Sequence, residues 1–297
     1  MKRRYLVAVV AVGALLGGCG EPVGSEPGAG GSQALGPTTA APAQVDPLAL
    51  IGSWTVAEVD EGAGDILRLA GPDTAGLLLF ARCGVLTGEW RADENGLFVA
   101  GVPASTIADD VKGCEPGPQP TPVWLRRAAA FRVERDSRVL LDDQGGPVAR
   151  LLPGAKPTPR PNLLPSWTEP PVITDEVRRA FAPAAALPAA LTAVSRDALL
   201  GRWVVADDGR SRPTTPYVEF RADGEWRGSD GCNGQGGRWV AGPSGALLAT
   251  SGPSTLIGCD NVSVGLWLAT RRAGLDGDVL VLLDAEGKEM GRLHRDR

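Results

Sequence analysis

The sequence predicts an α+β fold that is mainly β: two tandem small antiparallel barrel-like sheets, each with one short helix. Two observations carry this. Trp54, Cys83 and Trp90 recur as Trp203, Cys232 and Trp239, each 149 positions on. Trp and Cys are rare residues, so one offset shared by three of them marks a repeated structural unit. Short apolar segments separated by turn residues mark strands and hairpins, most fully in the second half and again at the end of the first. The pattern assigns five segments. Residues 1–18 are a signal peptide and 19–45 a flexible tether. Residues 46–153 are a first copy, 154–194 a linker and 195–297 a second copy.

The chain opens on Lys2, Arg3 and Arg4, followed by an apolar run from Leu6 to Leu16. That run is shorter than the roughly 20 residues a membrane-spanning helix needs, and reads as an export signal. Leu16-Gly17-Gly18-Cys19 then sets small residues directly before a cysteine. This resembles the lipobox of bacterial lipoproteins, which implies cleavage before Cys19 and acylation of its thiol. Such chains hold a protein at a membrane, at about 0.8 kcal/mol per buried methylene. The expected location is the extracytoplasmic side of the cell membrane. Residues 20–44, rich in Gly, Pro, Ala, Ser and Thr, cannot bury enough surface to fold.

Each copy opens alike. Asp46-Pro47 and Ser195-Arg196 each supply an N-cap for a short helical turn, and Gly52-Ser53-Trp54 and Gly201-Arg202-Trp203 then enter a strand. In the second copy, Tyr217 to Arg221 and Glu225 to Arg227 flank Asp223-Gly224, a hairpin signal. Gly237 to Val240 and Ala246 to Ala249 read as further strands, and Val264 to Ala273 as an amphipathic helix. Val279 to Leu283 and Glu289 to His294 form the last hairpin. Arg138 to Leu141 and Val148 to Leu152 are its counterpart in the first copy. The offset falls from 149 to 142 along the copies, which places extra loops near Asp109–Lys112 and Pro116–Pro122. In the linker, Thr174 caps a helix carrying Val177 and Phe181, with Pro183 and Pro188 beyond it. Trp167 lies in the linker, either docked on a copy or exposed for a partner.

Cys83, Cys114, Cys232 and Cys259 remain after Cys19 is assigned to lipid. An even number in an exported chain predicts disulfides. The repeat selects Cys83–Cys114 and Cys232–Cys259, one inside each copy, each contributing roughly 3.5 kcal/mol in the chain-entropy model. Zinc is disfavoured: the spacing lacks C-x-x-C, and the one histidine, His294, is remote in sequence.

The second copy carries Phe220, Gly224, Gly228, Gly231-Cys232-Asn233, Gly237, Trp239, Gly245 and Thr255-Leu256-Ile257-Gly258-Cys259. This resembles the META domain, the HslJ-like family of bacterial envelope and heat-shock-associated proteins. The first copy departs from the motif: no Asn follows Cys83, and Thr106 stands eight residues before Cys114. The resemblance implies a small mixed fold outside the cytoplasm, a link to stress tolerance, and no catalytic residues. Gly231, Asn233 and Thr255 are the structural motif positions it marks.

The chemistry-bearing residues otherwise read as scaffold. The Gly228–Gly237 segment lacks the Lys-Ser/Thr ending of a phosphate loop and reads as turns around a disulfide. Asn233 is expected to fasten that turn through side-chain to backbone bonds. Six of eight tryptophans pair between copies and are expected in cores. The pairs Asp109-Asp110, Asp142-Asp143 and Asp207-Asp208 fall in expected loops, where Asp forms solvated turns. The net charge of −5 argues against a nucleic-acid partner. The expectation is a non-catalytic, lipid-anchored envelope protein with no cofactor and no metal. It binds an envelope protein or small ligand, or acts in envelope stress tolerance. An inhibitor-like module for an apolar ligand or a protease is one alternative, and a hydrolase using loop carboxylates another. The first needs a cavity of at least about 300 Å³, the second converging carboxylates with raised pKa values.

Overall fold

The computed structural model describes residues 44–71, 76–107, 112–114, 119–160, 163–206, 213–252, 254–255 and 268–296, with the backbone alone at 104–107. The expected signal, the tether up to residue 43, Cys19, Cys259, Trp267 and the pairs Asp109-Asp110 and Asp207-Asp208 lie outside these residues.

The fold is mainly β. The first copy begins with a 3-10 turn at Pro47–Leu50, capped by Asp46 Oδ1, which accepts from Leu48 N at 2.9 Å. Its strands are β1 (Gly52–Ala57), β2 (Ile66–Leu69), β3 (Leu77–Ala81), β4 (Gly84–Ala92) and β5 (Phe98–Ile107). Helix α1 (Val123–Arg127) follows, then β6 (Ala130–Val133), β7 (Arg138–Leu141) and β8 (Pro147–Pro153). The linker contributes α2 (Asp175–Ala180) and β9 (Thr192–Ala193). The second copy opens with α3 (Arg196–Leu199), capped by Ser195 Oγ accepting from Ala198 N at 3.2 Å. Its strands are β10 (Gly201–Val205), β11 (Tyr217–Phe220), β12 (Glu225–Ser229), β13 (Gly234–Ala241), β14 (Leu247–Ala249), β15 (Arg272–Asp276), β16 (Val279–Leu283) and β17 (Glu289–Arg295).

The two sheets share one topology. The first runs β5-β4-β3-β2-β1-β8-β7-β6 and the second β14-β13-β12-β11-β10-β17-β16-β15, with β9 added at its edge. Every pairing is antiparallel, and each sheet curls until its ends touch. The closing bridge is Leu97–Ala130 in one and Ala246–Arg272 in the other. Both last hairpins carry a bulge, at Leu140/Leu141 and at Leu282/Leu283.

Details recur in pairs. Trp54 Nε1 donates to Leu50 O at 2.8 Å, and Trp203 Nε1 to Leu199 O at 2.7 Å. A Cβ placed on Gly88 would stand 2.0 Å from Gly101 O, and one on Gly237 would stand 1.9 Å from Thr250 O. Glycine is therefore required twice, at the same crossing of neighbouring strands. Asp142 Oδ1 accepts from the amides of Gln144 and Gly146, and Asp284 Oδ1 from those of Glu286 and Lys288.

Both interiors are filled by side chains. The first packs Trp54, Leu67, Leu69, Leu79, Trp90, Phe98 and Leu140. The second packs Trp203, Phe220, Trp226, Trp239, Leu247, Leu280 and Leu282. Register shows how the same space is filled differently. Gly52 pairs with Leu69 and Gly201 with Phe220; Leu69 pairs with Leu77 and Phe220 with Trp226. Leu69 and Leu77 thus occupy the positions of Phe220 and Trp226. The missing ring comes from the linker: Phe181 stacks on Trp90 at 4.8 Å, as Phe220 lies against Trp239 at 4.9 Å.

The linker is accordingly part of the folded body. Leu163 packs with Leu78, Phe80 and Val85 on the outside of the first sheet, with Trp167 half-buried beside them. Arg68 Nε donates to Glu169 O at 3.0 Å. Thr174 caps α2, its Oγ1 accepting from Val177 N at 3.2 Å, and α2 ends before Pro183. Trp167 is therefore docked. One expectation is corrected: the helix placed at Val264 to Ala273 does not reach its end, because Arg272 and Ala273 belong to β15. There Ala273 is fully buried, and Arg272 pairs with Leu283. Residues 264–267 lie outside the described set.

Candidate binding cleft between the copies

The copies meet through equivalent strands. Leu97 and Val99 of the first pack against Val240, Ala246 and Leu248 of the second. Glu89 Oε1 accepts from Ser251 N and, at 2.9 Å, from Ser251 Oγ. Arg272 Nη2 donates to Glu94 Oε1 at 2.8 Å.

Beside this seam opens a cleft of about 510 Å³. The first copy supplies the end of α1, with Arg126 and Arg127, and the β7–β8 turn with Asp142 and Asp143. The second supplies Arg196 of α3, the β11–β12 turn with Asp223, and Glu225, Arg238 and Trp239. A second cleft of about 280 Å³, between β5 and β12–β13, shares Arg126, Glu225 and Arg238 with it.

The charges in the cleft are unequally matched. Arg127 Nη2 donates to Asp142 Oδ2 at 2.6 Å, and Arg196 lies 3.6 Å from Asp143. Arg196 also donates to Ala222 O at 2.6 Å and stands 5.4 Å above the Trp239 ring. Arg238 donates to two neutral carbonyls, Asp223 O at 3.0 Å and Arg126 O. Burial is the main cause that lowers its pKa, Glu225 and Asp223 oppose it, and Arg126 adds to it. Partial burial of Asp142 works to raise its pKa. Hydrogen bonds from Gly146 N, Arg127 and Gln144 N outweigh that and hold the carboxyl below its usual range. Asp142 is thus an ionised ion-pair partner.

The motif residues assemble elsewhere, at the start of β13. Asp230, nearly fully buried, accepts at Oδ1 from the amides of Cys232 and Asn233 and at Oδ2 from Gln235 Nε2. Gly231 has φ +97°. Thr255 Oγ1 donates to Asn233 Oδ1 at 3.1 Å and accepts from Gly234 N at 3.1 Å. Asp230, which sequence reasoning missed, ties the turn; Asn233 ties the turn to Thr255. The signal was an Asp two residues before Cys232, an Asx-turn spacing. Cys83 and Cys114 form a disulfide, with Cα atoms 5.5 Å apart. Cys232 is also disulfide-bonded, and its partner is not among the described residues. His294 is exposed on β17. Among the described residues, no cluster of three or more His, Cys, Asp or Glu side chains could hold a metal ion, and no helix is long and apolar enough to cross a membrane.

No family model matches this chain. No curated protein matches it either.

Proposed function

We propose that this is a lipid-anchored, non-catalytic binding protein of the cell envelope, built from two META/HslJ-like units. The seam cleft is its recognition site. The observation that carries the reading is the cleft itself. It is open, its volume lies in the range of small-molecule sites, and both copies wall it, whereas each barrel interior is packed with side chains. A barrel-held apolar ligand is disfavoured for that reason. The non-catalytic part draws on the carboxylates: Asp142 is held ionised and Asp143 is paired with Arg196. A general acid needs the opposite, a carboxyl raised toward neutrality. The anchor rests on the Leu16-Gly17-Gly18-Cys19 sequence.

Two measurements test this. Intact-mass analysis of membrane-extracted protein should give a chain starting at acylated Cys19; an unacylated chain contradicts the anchor. A photo-crosslinking residue at Gln144, on the cleft wall, should yield one defined adduct in cells that the same residue at Lys288 does not. Equal labelling at both positions contradicts the cleft.

A further inference from the structure

We propose that Arg126 and Arg238 form a carboxylate-binding fork, so that the cleft recognises ligands bearing a free carboxylate group. The inference rests on reading the cleft as the binding site and adds the chemistry of its ligand. Of the four guanidinium groups lining the cleft, two have acidic partners within 4.0 Å: Arg127 with Asp142 and Arg196 with Asp143. The other two do not, among the described residues. They come from opposite copies and meet at the seam, where Arg238 donates to the backbone carbonyl of Arg126. The side chain of Arg126 is exposed and makes no hydrogen bond or ion pair among the described residues. Arg238 is half-buried and bonded only to neutral oxygens. A charge withdrawn from water is costly unless an opposite charge meets it, and a ligand anion would meet this one.

The repeat sharpens the point. Arg238 occupies the position that Glu89 holds in the first copy, since each stands one residue after the paired glycines Gly88 and Gly237. Glu89 is satisfied across the seam by Ser251 N and Oγ. Arg238 faces the same seam and hydrogen-bonds only carbonyls, with Glu225 and Asp223 nearby but outside ion-pair distance. Because Arg126 and Arg238 border both clefts, a ligand group placed between them is reachable from either side.

Planar guanidinium groups suit the planar carboxylate, which they bind in a two-pronged manner. Asp142, Asp143, Asp223 and Glu225 border the same cleft. They disfavour a doubly charged phosphate more than a singly charged carboxylate, and offer acceptors to a ligand's amide or ammonium groups.

The test is a titration of the full chain, followed by nuclear magnetic resonance of arginine Nε–Hε groups. The probes are butyrate, its neutral analogue butyramide and inorganic phosphate. Butyrate should shift Arg126 and Arg238 saturably, with affinity at least tenfold weaker in Arg238→Gln and unchanged in Lys288→Gln. Equal shifts from butyrate and butyramide overturn the carboxylate fork while leaving the cleft as a binding site. Tighter binding of phosphate than of butyrate also overturns the fork. No shift from any probe overturns the fork and counts against the binding reading itself.

Discussion

Arg272 and Glu94 form an ion pair at 2.8 Å that joins the two copies, with side chains 8% and 9% exposed. Arg272 also donates to Ala185 O of the linker at 3.4 Å, so three parts of the chain converge on one guanidinium. Removing one member of a buried pair strands the other charge, at a cost of about 3–5 kcal/mol. Arg272→Met and Glu94→Gln should each lose stability on that scale in urea titration. The double variant Arg272→Met/Glu94→Leu should recover most of the loss. Single variants within about 1 kcal/mol of the parent, by the same equilibrium analysis, contradict this role.

Gly88→Ala and Gly237→Ala should be equally severe. Each new Cβ would fall at or within 2.0 Å of a backbone carbonyl oxygen, that of Gly101 in β5 or of Thr250 just after β14. A loss above about 3 kcal/mol, or failure to fold, is expected for both. Gly145→Ala serves as the comparison: its φ is +78° and nothing lies within 4 Å of a Cβ there, so it should cost only about 1 kcal/mol. Thermal unfolding of the three variants checks the order.

Phe181→Ala should destabilise the first copy by about 3–5 kcal/mol, as loss of a buried aromatic side chain does. The ring is 7% exposed and stacks on Trp90. Near-ultraviolet circular dichroism should lose intensity from the Trp90 environment. A variant with unchanged spectrum and midpoint contradicts the linker's place in that core.

Burial raises the pKa of Asp93 above its ordinary 3.8, with Glu94 adding to the effect; hydrogen bonds from Asn95 and Leu97 work against it. The folded state therefore holds this proton at a pH where the unfolded chain has released it. Stability from this group is fully present below pH 3.8 and is lost as pH rises through the raised value. Relative to Asp93→Asn, the parent should become progressively less stable in urea titrations as the pH is raised from 3.5 to 7. A stability difference that is flat with pH contradicts the assignment.

The sequence carried the hairpins and the repeat because those signals are local. Asp223-Gly224 announced one turn, and alternation placed Tyr217 to Phe220 on either side of its sheet. The strands β2 to β5 of the first copy were harder to read. Leu77 to Phe80 is a continuous apolar run: Leu77 and Leu79 face the barrel interior, while Leu78 and Phe80 are covered by Leu163 of the linker. A strand buried on both faces has no alternation to detect. The cleft was illegible for a related reason. Arg126, Asp142, Arg196 and Arg238 are distant in sequence, and only the packing of one copy on the other brings them together. Asp142-Asp143 read correctly as a turn, but the ion pair of Asp143 with Arg196 depends on the seam, while Asp142 pairs with Arg127 inside the first copy.

Native-state hydrogen exchange, resolved strand by strand, tests most directly that this chain is one fold used twice and fused at a seam. Equivalent strands, such as β1 with β10 and β4 with β13, should show matched slow exchange. Arg272→Met should accelerate both sheets together. Protection confined to one sheet, with the other exchanging as an open chain, would contradict the account.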